Sequence, residues 1–70
     1  MPTNAHNRIR AARERQRLTQ KNVADALGIE RSAVSWLETS WRGSPRVRAR
    51  VADFLGESLT VAEAVAESVR

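Results

Sequence analysis

Residues 19–38, Thr19-Gln20-Lys21-Asn22-Val23-Ala24-Asp25-Ala26-Leu27-Gly28-Ile29-Glu30-Arg31-Ser32-Ala33-Val34-Ser35-Trp36-Leu37-Glu38, decide how the chain folds. Val23, Ala24 and Leu27 recur at helical spacing in the first half, and Val34 and Leu37 do so in the second. Between them Gly28 is the residue for which a left-handed conformation costs least, and Ile29 follows as an apolar side chain to bury beneath the turn. The pattern predicts two short helices, 20–27 and 31–39, hinged at Gly28.

At ~100° per residue, Ala33, Val34 and Leu37 fall on one side of the second helix, and Arg31, Ser32, Ser35 and Trp36 fall on the other. The first group suits burial. The second has the chemistry to meet base edges if the helix enters a major groove. A solvated polar face would give the same periodicity. The Gly-containing turn before the helix and the basic residues around it favour the reading face, because helix, Gly turn and helix is the arrangement of a DNA-binding helix-turn-helix.

Seventy residues are enough for one small all-α domain, 1–70, near the lower limit for a self-sufficient core. The absence of cysteine excludes disulfides and thiolate metal sites, and His6, near the N-terminus, reads as a solvent-exposed side chain. No apolar run has the length of a membrane span and no secretory pattern is present, so no membrane partner and a cytoplasmic location are expected. The net charge of +4 is unevenly spread: up to Gly56 there are 11 basic and 5 acidic residues, and beyond it Arg70 stands against Glu57, Glu63 and Glu67. The basic part attracts a polyanion and the tail does not. Eleven of the twelve cations are arginine. Arginine presents a planar donor fork to phosphate or guanine, although a GC-rich genome would write the same bias.

Working outward, a loose arm to Asn4, with Thr3 or Asn4 as cap, leads into a helix over 5–16 whose inward residues are Ile9, Ala12 and Ala5. Arg8, Arg10, Arg13, Arg15 and Arg17 decorate it; Arg13 lies nearest the buried side, and Glu38 is its candidate carboxylate partner. Leu18 closes the connection and Thr19 caps the next helix. Gln20 stands in that helix's first turn, where the amide dipoles favour an anion and a side-chain amide can donate to phosphate. Lys21 and Asn22 extend the same polar edge. After the loop 39–44, Ser44 caps and Pro45 starts a helix over 45–55, with Val47, Val51, Phe54 and Leu55 as its apolar stripe and Gly56 at its end. Arg46, Arg48 and Arg50 project elsewhere, and Arg42 and Arg46 flank a Pro-rigidified corner suited to clamping a phosphate backbone. Thr60-Val61-Ala62-Glu63 fits a capping box and opens a last helix, 60–68. Leu59, Val61, Ala62, Val65, Ala66 and Val69 are apolar for so acidic a segment, either padding the core or forming a two-fold interface.

Arg13, Leu18-Thr19-Gln20, Val23-Ala24, Leu27-Gly28, Val34, Leu37-Glu38 and Pro45-Arg46 together resemble the Xre family, the Cro/repressor-like helix-turn-helix regulators of phages and bacteria. The resemblance runs without gaps from about Arg8 to Leu59. It implies a compact five-helix lambda-repressor-like fold that binds double-stranded operator DNA, usually as a homodimer on an approximately palindromic site. It further implies that Gln20 contacts a phosphate, that Arg31, Ser32 and Trp36 occupy base-reading positions with Ser35 beside them, and that Arg13 and Glu38 form a buried salt bridge. Arg46 matches a position that approaches the minor groove in some lambdoid repressors. Three residues depart from the family pattern. Glu30 stands where Ser, Thr or Asp caps the recognition helix, and Ser40 replaces the usual Gly in the exit after Glu38. Trp36 is unusual on a reading face: it packs on a thymine methyl or sugar, or else against Trp41 or a neighbouring helix. For Trp41 the sequence leaves three roles open: stacking on the DNA backbone, shielding Arg42, or meeting a partner subunit.

The function expected from these features is transcriptional regulation by operator occupancy, in a small single-domain phage or prophage repressor or Cro-like protein. Arg31 would read guanine, with Gln20, Lys21, Asn22, Arg42 and Arg46 on the backbone. An alternative of another class is an antitoxin or antirepressor that captures a protein partner with its C-terminal helix. No enzyme is expected, and no cofactor or metal: there is no His-containing constellation, phosphate-cradling Gly loop or carboxylate pair in an apolar setting.

Overall fold

The computed structural model describes residues 4–67. Five helices follow one another: α1 Ala5–Arg15, α2 Gln20–Leu27, α3 Arg31–Ser40, α4 Pro45–Leu55 and α5 Val61–Val65. Thr3 and Val69, invoked above as a cap and an apolar tail residue, lie outside the described residues.

Local chemistry sets most of the boundaries. Thr19 Oγ1 accepts from the Asn22 N–H at 3.0 Å while Asn22 Oδ1 accepts from the Thr19 N–H at 2.9 Å, so a reciprocal capping box starts α2. Ser44 Oγ accepts from the Val47 N–H at 3.2 Å, and Pro45 follows at the position where its missing N–H costs nothing. Thr60 and Glu63 form a second capping box at α5. Gly28 ends α2 at φ 67°, and the Ile29 N–H reaches back to the Ala24 carbonyl at 3.0 Å. Without a glycine after Glu38, α3 runs one residue beyond the expected 39, and Trp41 takes the left-handed exit at φ 57°. Likewise α1 stops at Arg15, with Gln16 as its cap, one residue short of the expected end.

The core is built from Ile9 and Ala12 of α1, Val23 and Ala24 of α2, Val34 and Leu37 of α3, Trp41, and Val51, Ala52 and Leu55 of α4. Leu18, Leu27, Ile29, Val47 and Leu59 seal its edges. α3 packs against both α1 and α2, which leaves its remaining face outward.

Several expectations are corrected by tertiary packing. His6 is buried, because it stands three residues before Ile9 on the same face of α1. Phe54 is largely exposed: the inward stripe of α4 is Arg48, Val51, Ala52 and Leu55, and Phe54 lies off it. Arg48 therefore does not project outward. Its guanidinium is buried against the Trp41 ring, 4.9 Å from the centroid, donates to the Trp41 carbonyl, and reaches the Ala64 and Ala66 carbonyls at 2.8 and 2.6 Å. Ala66 is extended, so α5 ends at Val65, short of the expected end. Trp41 is 2 % exposed and donates through Nε1 to the Glu63 carbonyl at 2.8 Å, so its indole is not open for stacking on DNA or meeting a partner subunit. Of the apolar C-terminal residues, Leu59 joins the core edge while Val61 and Val65 face solvent.

Candidate nucleic-acid interface

The turn at Gly28 sets α3 across α2 with Val34, Leu37 and Glu38 inward. Of the four candidate base readers, Arg31, Ser32 and Trp36 are exposed, and Ser35 is half-buried beside them. Among the described residues no acceptor is paired with the Arg31 guanidinium. Glu30 holds the N-cap position without capping through its side chain; its carboxylate instead accepts from Ser32 Oγ at 3.4 Å. Trp36 is 51 % exposed, with the Arg42 guanidinium over one face of its ring at 4.8 Å from the centroid.

Beside α3 lies an open cleft of about 530 Å³ at the head of α2, lined by Arg13, Arg17, Leu18, Thr19, Gln20, Lys21 and Arg31. Four of these seven residues are cationic and none is acidic. The amide N–H groups of the first helical turn add positive potential there. Gln20 is not idle in the cleft: its Nε2 donates to Glu38 Oε1 at 3.2 Å, leaving its second amide hydrogen for another acceptor. Lys21 forms an exposed pair with Asp25 at 2.7 Å, the kind of surface contact readily exchanged for a phosphate. Asn22 spends its carbonyl oxygen on the capping box and keeps its NH2 group. Arg46 is exposed at the start of α4, and Arg42 lies across the Gly43–Pro45 corner from it.

Behind this surface, Arg13 fixes α1 to α3. Its Nε donates to Glu38 Oε2 at 2.6 Å, Nη2 to Glu38 Oε1 at 3.0 Å and Nη1 to the Leu18 carbonyl at 2.7 Å. The Glu38 side chain is 1 % exposed and that of Arg13 is 12 %. The hydrogen bonds that Arg13 donates to Glu38 raise its pKa, against the opposing effect of burial.

One residue of this surface was read from sequence only as decoration of the first helix. Arg17 leaves α1 in the left-handed conformation, φ 57°, a position where glycine is cheaper. Its place just before the Thr19 cap was the available signal, since a cation there stands next to the head of α2. Among the described residues no cluster of His, Cys, Asp and Glu is placed to hold a metal ion, and no helix is long and apolar enough to cross a membrane.

A family model described as a helix-turn-helix domain matches residues 7–66. No curated protein and no solved structure matches the chain.

Proposed function

The chain belongs to the helix-turn-helix domain family, and we propose that it is a sequence-specific double-stranded DNA-binding transcriptional regulator, a repressor of the small Cro-like, phage or prophage kind. The observation that carries this reading is the continuity of the exposed Arg31–Ser32–Trp36 edge of α3 with the cationic cleft at the head of α2. α3 enters the major groove, and Arg31 reads guanine through its paired donors. Ser32, Ser35 and Trp36 contact neighbouring bases. Gln20, Lys21, Asn22, Arg17, Arg42 and Arg46 set the register on phosphates. The regulator acts in the cytoplasm, as a homodimer on an approximately palindromic operator, and represses by occupying DNA that overlaps a promoter.

Fluorescence anisotropy with the DNA upstream of its own coding sequence, against randomised duplex at two salt concentrations, tests this. Tight binding to the upstream DNA that weakens steeply with salt is the expected result. Failure to bind either duplex at low salt would sink the proposal. A second reading, an antitoxin or antirepressor module, draws on Val61 and Val65. They stand one turn apart on α5 and are 81 % and 59 % exposed. Binding to a protein partner through that apolar pair would persist at high salt, unlike phosphate binding.

A further inference from the structure

The outward face of α3 carries an apolar feature as well as its cations. Ala33, Trp36, Arg42, Gly43 and Val47 line an open cleft of about 210 Å³. Half of the Trp36 surface is left to water here, although burying so large an aromatic would stabilise the fold. Arg42 lies over one face of the indole, which restrains the ring and keeps the guanidinium at the rim of the cleft. The Arg42 backbone N–H donates to the Trp36 carbonyl at 3.3 Å, while among the described residues its guanidinium makes no hydrogen bond or ion pair and keeps its donors for a ligand. Trp36 stands one helical turn after Ser32, so the cleft continues the edge that begins at Arg31.

Resting on the DNA-binding reading above, we propose that this cleft takes the C5-methyl group of a thymine in the major groove. Trp36 is then a specificity-determining residue, and Arg42 fastens the adjoining phosphate. Thymine alone among the four bases presents a methyl group in that groove. A small apolar lobe with a cation at its rim matches a methyl group close to a phosphate. The donors of Arg31 and Ser32 match the polar base edges beside it. Charge selects against a second copy of this chain as occupant: Arg42 lines the cleft, no acidic residue does, and the whole chain carries +4.

The test starts from a pool of randomised duplexes from which the protein enriches its preferred sequence. Each thymine of that duplex is then replaced in turn by deoxyuridine, which pairs identically and lacks only the methyl group. At one thymine neighbouring the base read by Arg31, the replacement should weaken binding about fourfold, the value of one buried methyl group. Trp36→Ala should bind the thymine and uracil duplexes alike, and Trp36→Phe should keep part of the discrimination. An enriched duplex without thymine in the footprint, or one on which no uracil matters, overturns the methyl cleft and leaves DNA binding standing. So does a uracil effect that persists in Trp36→Ala, or a Trp36→Ala loss that is uniform over all duplexes, which would assign the indole to the sugar–phosphate backbone. A pool that never enriches overturns the DNA-binding reading itself.

Discussion

Gln20 Nε2 donates to Glu38 Oε1 across 3.2 Å, so the side chain at the head of α2 is bonded to the same carboxylate that Arg13 grips. The candidate phosphate contact and the buried ion pair are thus one network rather than two separate features. Within it, Arg13→Ala strands a nearly fully buried carboxylate with only Gln20 as a side-chain donor. Glu38→Ala instead strands a guanidinium that retains some solvent and the Leu18 carbonyl. Both should destabilise, Arg13→Ala by the larger amount, on the order of 3–5 kcal/mol. The double variant should cost less than the sum of the two. Chemical denaturation of the three variants checks this; additive losses would mean that the two groups do not interact.

Elements closed by local chemistry are legible in the sequence. Thr19, Ser44, Thr60, Gly28 and Gly56 act on the backbone within a few residues of themselves, so their positions mark the helix ends directly. The misreading of Arg48 involves partners far along the chain. Arg48 looks like Arg46 and Arg50 in a run of alternating arginines, and nothing local says that it will be covered by Trp41 and by residues 64–66. Trp41 is tied to the same stretch through its indole N–H, which donates to the Glu63 carbonyl. At the interface, the helical period placed Arg31, Ser32 and Trp36 on the outer edge of α3, whereas the tether of Gln20 and the stack of Arg42 on Trp36 needed tertiary geometry.

Arg48 offers a direct test of that long-range packing. Its two terminal nitrogens hold three carbonyls, while Nε has no partner among the described residues, and burial depresses the guanidinium pKa. Arg48→Leu keeps apolar volume against Trp41 but releases the carbonyls of Trp41, Ala64 and Ala66. It should cost about 2 kcal/mol and speed hydrogen exchange at the Ala64 and Ala66 amides, while DNA affinity stays close to wild type. Unchanged exchange at those two amides would show that Arg48 does not hold α5 in place.

Glu63 makes the same attachment sensitive to acid. The hydrogen bond from Arg8 holds its carboxyl below the ordinary value of 4.5, and the Thr60 backbone N–H adds to the effect. Its stabilising contribution is therefore complete above about pH 4.5 and is lost as pH falls through the lower folded value. Glu63→Gln removes the charge that Arg8 meets. Melting temperatures from pH 7 to pH 3 should show wild type above the variant at neutral pH, with the gap closing in acid. A gap that is constant down to pH 3 would place the difference elsewhere.

Arg17 sets stability against binding. Its left-handed backbone costs about 1 kcal/mol relative to glycine, an advantage partly offset by glycine's greater freedom in the unfolded chain. Arg17→Gly should leave the melting temperature unchanged or slightly raised, yet weaken binding to every duplex and flatten the salt dependence. A loss of stability without loss of affinity would make the residue structural.

Arg31 and Arg46 are both exposed arginines, yet their positions assign them opposite signatures. Arg31 opens α3 beside Ser32 and bounds the cationic cleft, and in the proposed function its guanidinium fork meets a base edge; Arg46 lies in the first turn of α4, where the same proposal gives it a phosphate. Arg31→Ala should relax preference at one operator position by roughly 1–3 kcal/mol of discrimination and leave other positions unchanged. Arg46→Ala should weaken specific and random duplexes by the same factor and lower the slope of log affinity against log salt by about one. Binding of each variant to a panel of single-base operator variants at three salt concentrations separates these outcomes. A uniform loss for Arg31→Ala would move that residue to the backbone, and a base-dependent loss for Arg46→Ala would bring it into a groove.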